Sequence, residues 1–384
     1  MKKYLLGTTA LVAAGMLATA GTASAQTQVQ PVQVSVGGYF YSYLGYVDQD
    51  FDPALSVDQQ TDAEIHFNGR TVLDNGLTVG LRVELEANTE SDQIDEAYAF
   101  VEGAFGRIEA GSINNVAYRM HYKAPDVGKG IVANEGNYPN WIQNITKSHF
   151  NDTALGQTSL RLGDNDSDKI NYYTPRIAGF QLGLSYIPEM SQDRSGQGQE
   201  ARDDFTYNTG WSVGLNYVQS FGDFDIAASA GYVTFEAPEG TNADDIKGYS
   251  AGLQVGFAGF KVGGSYARIK DGVVASNAGI GDSTKTTYFD PGSTSFAQND
   301  GQSWDVGVSY TFGPAAVSLT YFHGENEPVA NGGDDEWTLY QLTGVYTLGP
   351  GVQLQGTLFR GEFEAATGGE NEATGLITGL LLVF

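Results

Sequence analysis

Three short constellations in this 384-residue chain carry residue types able to do chemistry. Gly248-Tyr249-Ser250-Ala251-Gly252 fits the G-x-S-x-G pattern of a serine hydrolase. That reaction needs a strained strand-to-helix elbow, with a histidine and an acid brought to the hydroxyl. Here the serine falls in regular strand alternation, which argues against a nucleophile. The four histidines, His66, His121, His149 and His323, are too scattered for a strong zinc motif. Absence of cysteine removes thiolate zinc sites, disulfides and cysteine catalysis. Asp164, Asp166 and Asp168 alternate along one stretch and offer hard oxygens suited to Ca²⁺. Lys169 stands where an EF-hand needs Gly and Pro175 where it needs a bidentate Glu, so a solvated acidic loop competes with calcium binding.

The elements that must position these residues are strands. In Phe180–Tyr186 one face reads Phe, Leu, Leu, Tyr and the other Gln, Gly, Ser. Tyr249 to Phe257 and Trp304 to Phe312 alternate in the same way, with aromatic residues at the ends of the apolar face. A soluble sandwich has no reason to end its strands on rings, whereas a membrane barrel places them at both water–lipid interfaces. Tight connections recur at 73–76, 103–106, 177–179, 221–223, 257–259, 312–314 and 348–351. Between them lie long polar stretches at 48–62, 86–96, 115–167, 189–207, 236–245, 271–301, 325–336 and 362–372. This spacing predicts a 16-stranded antiparallel transmembrane β-barrel, all-β, with short periplasmic turns and long external loops.

The amino terminus reads as an export signal. Lys2 and Lys3 precede an apolar run from Leu5 to Leu17, and Ala23-Ser24-Ala25 is an A-x-A cleavage site. Residues 1–25 are therefore expected to be removed after Ala25, leaving residues 26–384 as one barrel domain. Composition agrees: 51 Gly, 46 aromatic residues (4 Trp, 22 Tyr, 20 Phe) and 41% hydrophobic content suit an ordered, Gly-rich β-structure. A net charge of −26 argues against nucleic acid as a partner. Most acidic residues fall in the long polar stretches, which predicts an acidic rim with a bias toward cations and divalent bridging to lipopolysaccharide.

Several motifs together resemble the general diffusion porins of Gram-negative bacteria, in particular the alphaproteobacterial type. They are Val34-Ser35-Val36-Gly37-Gly38-Tyr39, Gly106-Arg107-Ile108-Glu109-Ala110-Gly111, Lys169-Ile170-Asn171-Tyr172-Tyr173-Thr174-Pro175, Ala178-Gly179-Phe180 and the terminal Phe384. The resemblance implies a homotrimer in the outer membrane that passes small hydrophilic solutes passively, with no enzymatic activity and no required cofactor. It also implies that Phe384, closing an amphipathic last strand, is a signal for the barrel-assembly machinery, and that residues 115–167 fold inward as a constriction loop.

In that family, acidic loop residues face basic wall residues across the constriction. The corresponding candidates are Arg70 and Arg82 with His66 on the wall, which alternate with Phe67, Leu81 and Val83, and Asp126 and Glu135 in the loop. The alternative is that Arg70 and Arg82 pair with Glu64, Glu84 or Glu86 on the same face. Arg119, Lys123, Lys129, Lys147 and Arg161 make the loop less acidic than the resemblance implies. Tyr39, Tyr41 and Tyr43 share one face, either as an aromatic ladder of a substrate-specific channel or as packing under the third loop or at a subunit contact. Ala97, Ala99 and Val101 are small enough for a subunit contact. A barrel-embedded lipid hydrolase is the remaining alternative; only His323 lies near a late strand.

Overall fold

The structure, a computed structural model, describes residues 31–50, 55–87, 93–135, 137–142, 154–162, 166–190, 207–239, 241, 243–273, 298–327, 334–366 and 369–384. The expected leader, His149, Lys147 and Asp164 lie outside the described residues. Sixteen antiparallel strands form a closed barrel. In chain order they are β1 (Gln33–Gln49), β2 (Val57–Val72), β3 (Thr78–Glu86), β4 (Ile94–Gly103), β5 (Gly106–Ser112), β6 (Asp168–Tyr173), β7 (Phe180–Glu189) and β8 (Asn208–Phe221). They continue as β9 (Phe224–Glu236), β10 (Ile246–Phe257), β11 (Phe260–Val273), β12 (Gln298–Phe312), β13 (Ala315–Glu327), β14 (Asp335–Gly349), β15 (Val352–Ala365) and β16 (Gly369–Val383). Each strand pairs with the next, and β1 pairs with β16. Phe384 completes the seam: its amide donates to the Gly38 carbonyl at 3.1 Å, and the Gly38 amide donates back at 3.0 Å.

Period-two patterning explains which face is wet. On β7, Phe180, Leu182, Leu184 and Tyr186 are exposed outward, while Ser185 is buried inside. The outward rings gather at two heights. Phe180 with Tyr217, Phe224 with Phe257 and Phe260 with Tyr310 pair near the tight turns, with centroids 4.6, 4.6 and 4.2 Å apart. Tyr186 with Trp211, Tyr232 with Tyr249 and Trp304 with Tyr321 pair near the other end, at 4.9, 5.2 and 4.8 Å. Two aromatic girdles enclosing an apolar band are what a bilayer requires of a barrel.

Several long connections are shorter than the composition suggested, because the barrel wall rises further. β1 runs on to Gln49, β2 begins at Val57, β4 at Ile94 and β16 at Gly369. Acids on the wet face leave the alternation intact, as in Asp62-Ala63-Glu64-Ile65, so a run that is polar by composition continues the strand. Asp62, Glu86, Asp95 and Glu96 thereby move from the expected rim onto strands of the inner wall.

The described residues of the connection between β5 and β6 lie inside the barrel. It opens with a short helix α1 (Val116–Arg119), N-capped by Asn115, whose side chain accepts from the Tyr118 amide. From there polar wall side chains on β7, β8, β9, β10, β12, β13, β15 and β1 take hold of its backbone. The amides of Val116, Ala117 and Tyr122 donate to Ser185 of β7, Ser212 of β8 and Ser229 of β9, at 2.9, 3.0 and 2.9 Å. Gln254 of β10 donates to the Lys123 carbonyl at 2.6 Å, and the Ala124 amide donates to Asp305 of β12 at 2.9 Å. The Val127 amide reaches Ser318 of β13 at 3.1 Å, the Lys129 amide reaches Gln355 of β15 at 2.8 Å, and Tyr43 of β1 donates to the Lys129 carbonyl. Each such bond contributes about 1 kcal/mol net.

Close approach needs room as well as partners. A side chain at Gly252 would collide with the Tyr122 carbonyl oxygen, and one at Gly324 with the Leu155 carbonyl. The return of the loop is anchored by rings: Tyr138 packs edge-on to Phe359 at 5.0 Å and tilted against Trp337 at 5.9 Å, and Trp141 lies over Gly45. Gly252→Val is therefore expected to push the loop off the wall while sparing the strands. Single-channel conductance of the variant should rise, and protease cleavage within 113–142 should become detectable on folded protein.

Candidate functional site

Among the described residues the inward loop is fastened to the wall from β7 round to β15 and β1, while on β2 to β6 it is touched at fewer places, by Gln60, Glu96, Glu109 and Asn171. The narrow passage therefore lies between the loop's inner surface and these five strands. On β2 and β3 the expected wall residues form one network. His66 Nε2 lies 2.5 Å from Glu64, Arg82 Nη2 donates to His66 Nδ1 at 3.1 Å, and Arg82 Nε donates to Glu84. The bond from Arg82 requires a lone pair on Nδ1, which places a ring proton on Nε2, facing Glu64. Arg82 is 28% exposed while its partner Glu84 is 9% exposed. Arg70 stands apart from this network, exposed near the turn end of β2 and opposite Gly80.

The loop acids are placed differently from one another. Asp126 is tied back toward the wall: it accepts from the Gly128 and Ala133 amides at 2.9 and 3.2 Å, from Ser318 at 3.2 Å and from Gln341 at 2.7 Å. Burial pushes its carboxyl up, and the two backbone amides oppose that. Glu135 faces the lumen at 41% exposure and pairs with Lys123, 26% exposed, at 2.7 Å. Burial favours neutrality in both groups, but each is overridden by the other's charge. Glu135 is held below the usual carboxylate range, helped by Lys129 and Arg161, and Lys123 is pushed up. His121, donor or acceptor to Thr158 at 3.1 Å, is driven down to about 3 by burial and then by Lys123, and stays neutral.

A second charged group on this wall lies outside the sequence-derived candidates. Glu109 of β5, 2% exposed, lies between Arg107 at 2.6 Å and Arg119 of α1, and Arg107 also reaches Glu102 at 3.0 Å. Arg119 donates to the Tyr173 hydroxyl at 3.2 Å and lies over the rings of Tyr98 and Tyr173. Alternation of Glu109 with Ile108 and Ala110 was the available signal for its inward direction. Nothing in strand periodicity announces the helix that brings Arg119 to it.

The remaining candidates are also placed. Asp166 is buried, accepts from Asn114 at 2.8 Å, and is pushed up to about 9 by burial and the neighbouring Asp95 carboxylate. Asp168 begins β6 opposite Ser112. Among the described residues the carboxylate and histidine groups close enough to share an ion are Glu64 with His66 and Glu84, and Glu64 with Glu86 and Asp95; Asp166 and Asp168 are in neither. Tyr43 packs under the loop, while Tyr39 and Tyr41 stack on each other at 4.5 Å. Ser250 points inward on β10 opposite Gly231 and Ala267, in regular strand.

The Lys123–Glu135 pair gives the passage a pH window. The contribution from Glu135 is present above its unfolded value of about 4.3 and is lost as pH falls through the lower folded value; that of Lys123 is present below about 10.4 and lost as pH rises through its raised folded value. Open-channel current is expected to be quiet between these limits and to flicker on acidification below about pH 4. Noise analysis of Glu135→Gln channels should find that acid-induced flicker gone.

Comparison with known proteins agrees with this architecture. The chain is 25% identical over 222 residues to an uncharacterized protein of Rickettsia conorii, covering 49% of this chain and 48% of that one. It is 24% identical over 293 residues to another of Rickettsia typhi, covering 66% and 61%. The chain thus spans about half to three fifths of the length of the curated relatives it matches. The fold is similar to OmpT of Vibrio cholerae in its trimer form (TM-score 0.59, 13% identity, 92% of this chain and 100% of that one). It is likewise similar to an anion-selective porin from Comamonas acidovorans (0.58, 17%, 92% and 100%) and to the outer-membrane channel DcaP of Acinetobacter baumannii (0.60, 13%, 92% and 98%). The sequence model described as Gram-negative porin matches residues 7–366, nearly the whole chain, and with the closed sixteen-strand barrel this places the protein in the Gram-negative porin family.

Proposed function

We propose that this porin is a passive diffusion channel of the outer membrane for small hydrophilic solutes and ions, with a preference for cations. The observation that carries this reading is a closed sixteen-strand barrel whose inner wall bears polar and charged side chains and holds a loop by hydrogen bonds to its backbone. A sixteen-strand barrel is too wide for side chains to fill, so inward polar residues line a water path. Intramembrane charges facing such a path mark the route of permeation. Membership of the porin family supports a channel rather than an enzyme. Export through the signal at residues 1–25, assembly through Phe384 and bridging of the acidic outer rim to lipopolysaccharide by divalent ions belong to the same reading.

The stacked Tyr39–Tyr41 pair favours a second reading, a channel specific for a solute that stacks on rings. Planar bilayer recording separates the two. Conductance linear in salt, with a cation-directed reversal potential, is expected; saturation by one sugar or amino acid would establish the specific channel, and lipid hydrolysis without channels would establish an enzyme.

The trimeric form of a structural neighbour supports a homotrimer. Its contact is proposed at β4, where Ala99 is exposed outward and Tyr98 is buried inward. Ala99→Arg is expected to convert an SDS-resistant trimer to monomers on semi-native gels. An undisturbed trimer would remove this face from the interface.

A further inference from the structure

We propose that Glu64, His66 and Glu84 form a binding site on the inner wall for a divalent transition-metal ion of the Zn²⁺ class, and that Arg82 guards it. Binding stands on the geometry alone, whereas its effect on current rests on the channel reading above.

Strand pairing brings the three ligands together. Glu64 and His66 stand two residues apart on β2 and share a face, and His66 is the direct cross-strand partner of Glu84 on β3. His66 Nε2 lies 2.5 Å from a Glu64 oxygen and 3.9 Å from a Glu84 oxygen. One ligand atom from each of the three residues lies within 4.8 Å of the other two. Ligands about 2 Å from a tetrahedral zinc stand about 3.3 Å from each other, so the 2.5 Å contact must open and the 3.9 Å one close by less than about 1 Å each. Side-chain torsions on a fixed sheet can supply that.

The donor set selects the ion. One imidazole nitrogen with two carboxylate oxygens suits Zn²⁺ and its first-row neighbours, and three protein ligands leave a fourth position for water. Ca²⁺ takes about six to eight oxygens and Mg²⁺ gives up its own water reluctantly, so this set serves neither well. Glu64 and Glu84 are buried against bulk water, while the His66 side chain, 17% exposed, leaves the ion a way in.

Arg82 stands in that way. Its Nη2 donates to His66 Nδ1 at 3.1 Å and its Nε donates to Glu84. While these bonds hold, the ring proton sits on Nε2, the atom the metal must take. Coordination therefore moves that proton from Nε2 to Nδ1, and an Nδ1–H facing a guanidinium has only donors opposite it. Arg82 must then withdraw, and at 28% exposure it has the lumen to turn into. The guanidinium thus opposes the metal twice, by holding Glu84 and by fixing the wrong tautomer. A metal-bound histidine ordinarily gives its other ring N–H to an acceptor, which Arg82→Gln would provide.

Calorimetric titration of Zn²⁺ into chelator-treated full-length protein in detergent, with excess Ca²⁺ present to occupy the acidic outer loops, tests this. Wild type is expected to bind one Zn²⁺ per chain. His66→Gln should weaken that binding at least about ten-fold, Arg82→Gln should tighten it several-fold, and the double variant should lose the gain. Block of single-channel current by Zn²⁺ is expected to follow the same order. X-ray absorption of the zinc-loaded wild type should find one imidazole among oxygen ligands, which decides the ligand set even if His66→Gln does not fold. Zinc uptake abolished by Ca²⁺, indifferent to His66→Gln, or showing oxygen ligands only would overturn the site. Weaker binding by Arg82→Gln would overturn the role given to Arg82. Zinc binding in the expected order by a protein that forms no channels would uphold the site and refute the channel reading instead.

Discussion

Hydrogen bonds from the barrel wall to the backbone of the inward loop are the interaction on which the rest depends. A chain segment drawn inside a barrel loses bulk water from its amides and carbonyls, and each group left unsatisfied would cost more than a made bond returns. Ser185, Ser212, Ser229, Gln254, Asp305, Ser318 and Gln355 supply those partners from β7, β8, β9, β10, β12, β13 and β15. Their inward direction follows from strand alternation, and their shortness, or that of the glycines between them, lets the loop lie flat. The high glycine content is thus partly a property of the loop's seat on the wall and not only of the turns.

The same seat decides which charges meet the water path. Asp126 and Asp305 look in sequence like lumen acids, yet they serve as acceptors for loop amides. Glu84 and Glu109 sit beneath arginines that are partly exposed, so the guanidinium and not the carboxylate meets a passing solute at those two places. Glu96 of β4 is likewise held, accepting from the Asn114 side chain of the loop at 3.0 Å. Placement relative to the loop, more than formal charge, distinguishes structural from permeation-relevant carboxylates.

The barrel was legible because each signal was local. Turns such as Phe221-Gly222-Asp223 and Phe312-Gly313-Pro314 bracket runs of strict alternation, and the aromatic ends identify the solvent on each face. The upper limits of the strands were less so, since Asp62 or Glu96 on the wet face looks the same as an acid in a loop. The passage itself was legible only in part. Alternation puts His66, Arg70 and Arg82 on one face, but it carries no information on height along the barrel, and Arg70 lies too near the turns to join the other two. Nor does it foretell that Arg119 sits on a helix reaching Glu109, because the loop's path is set by contacts between residues far apart in sequence.

The bond from Tyr43 to the Lys129 carbonyl has a mechanical meaning. The loop leaves the wall at β5 and is fastened on successive strands as far as β1, so it crosses the seam where β1 meets β16. Any deformation that flattens the barrel or pries that seam apart must stretch this internal band before the strands can separate. The segment that narrows the passage therefore also fixes its cross-section, and the aperture is insulated from lateral pressure in the surrounding bilayer.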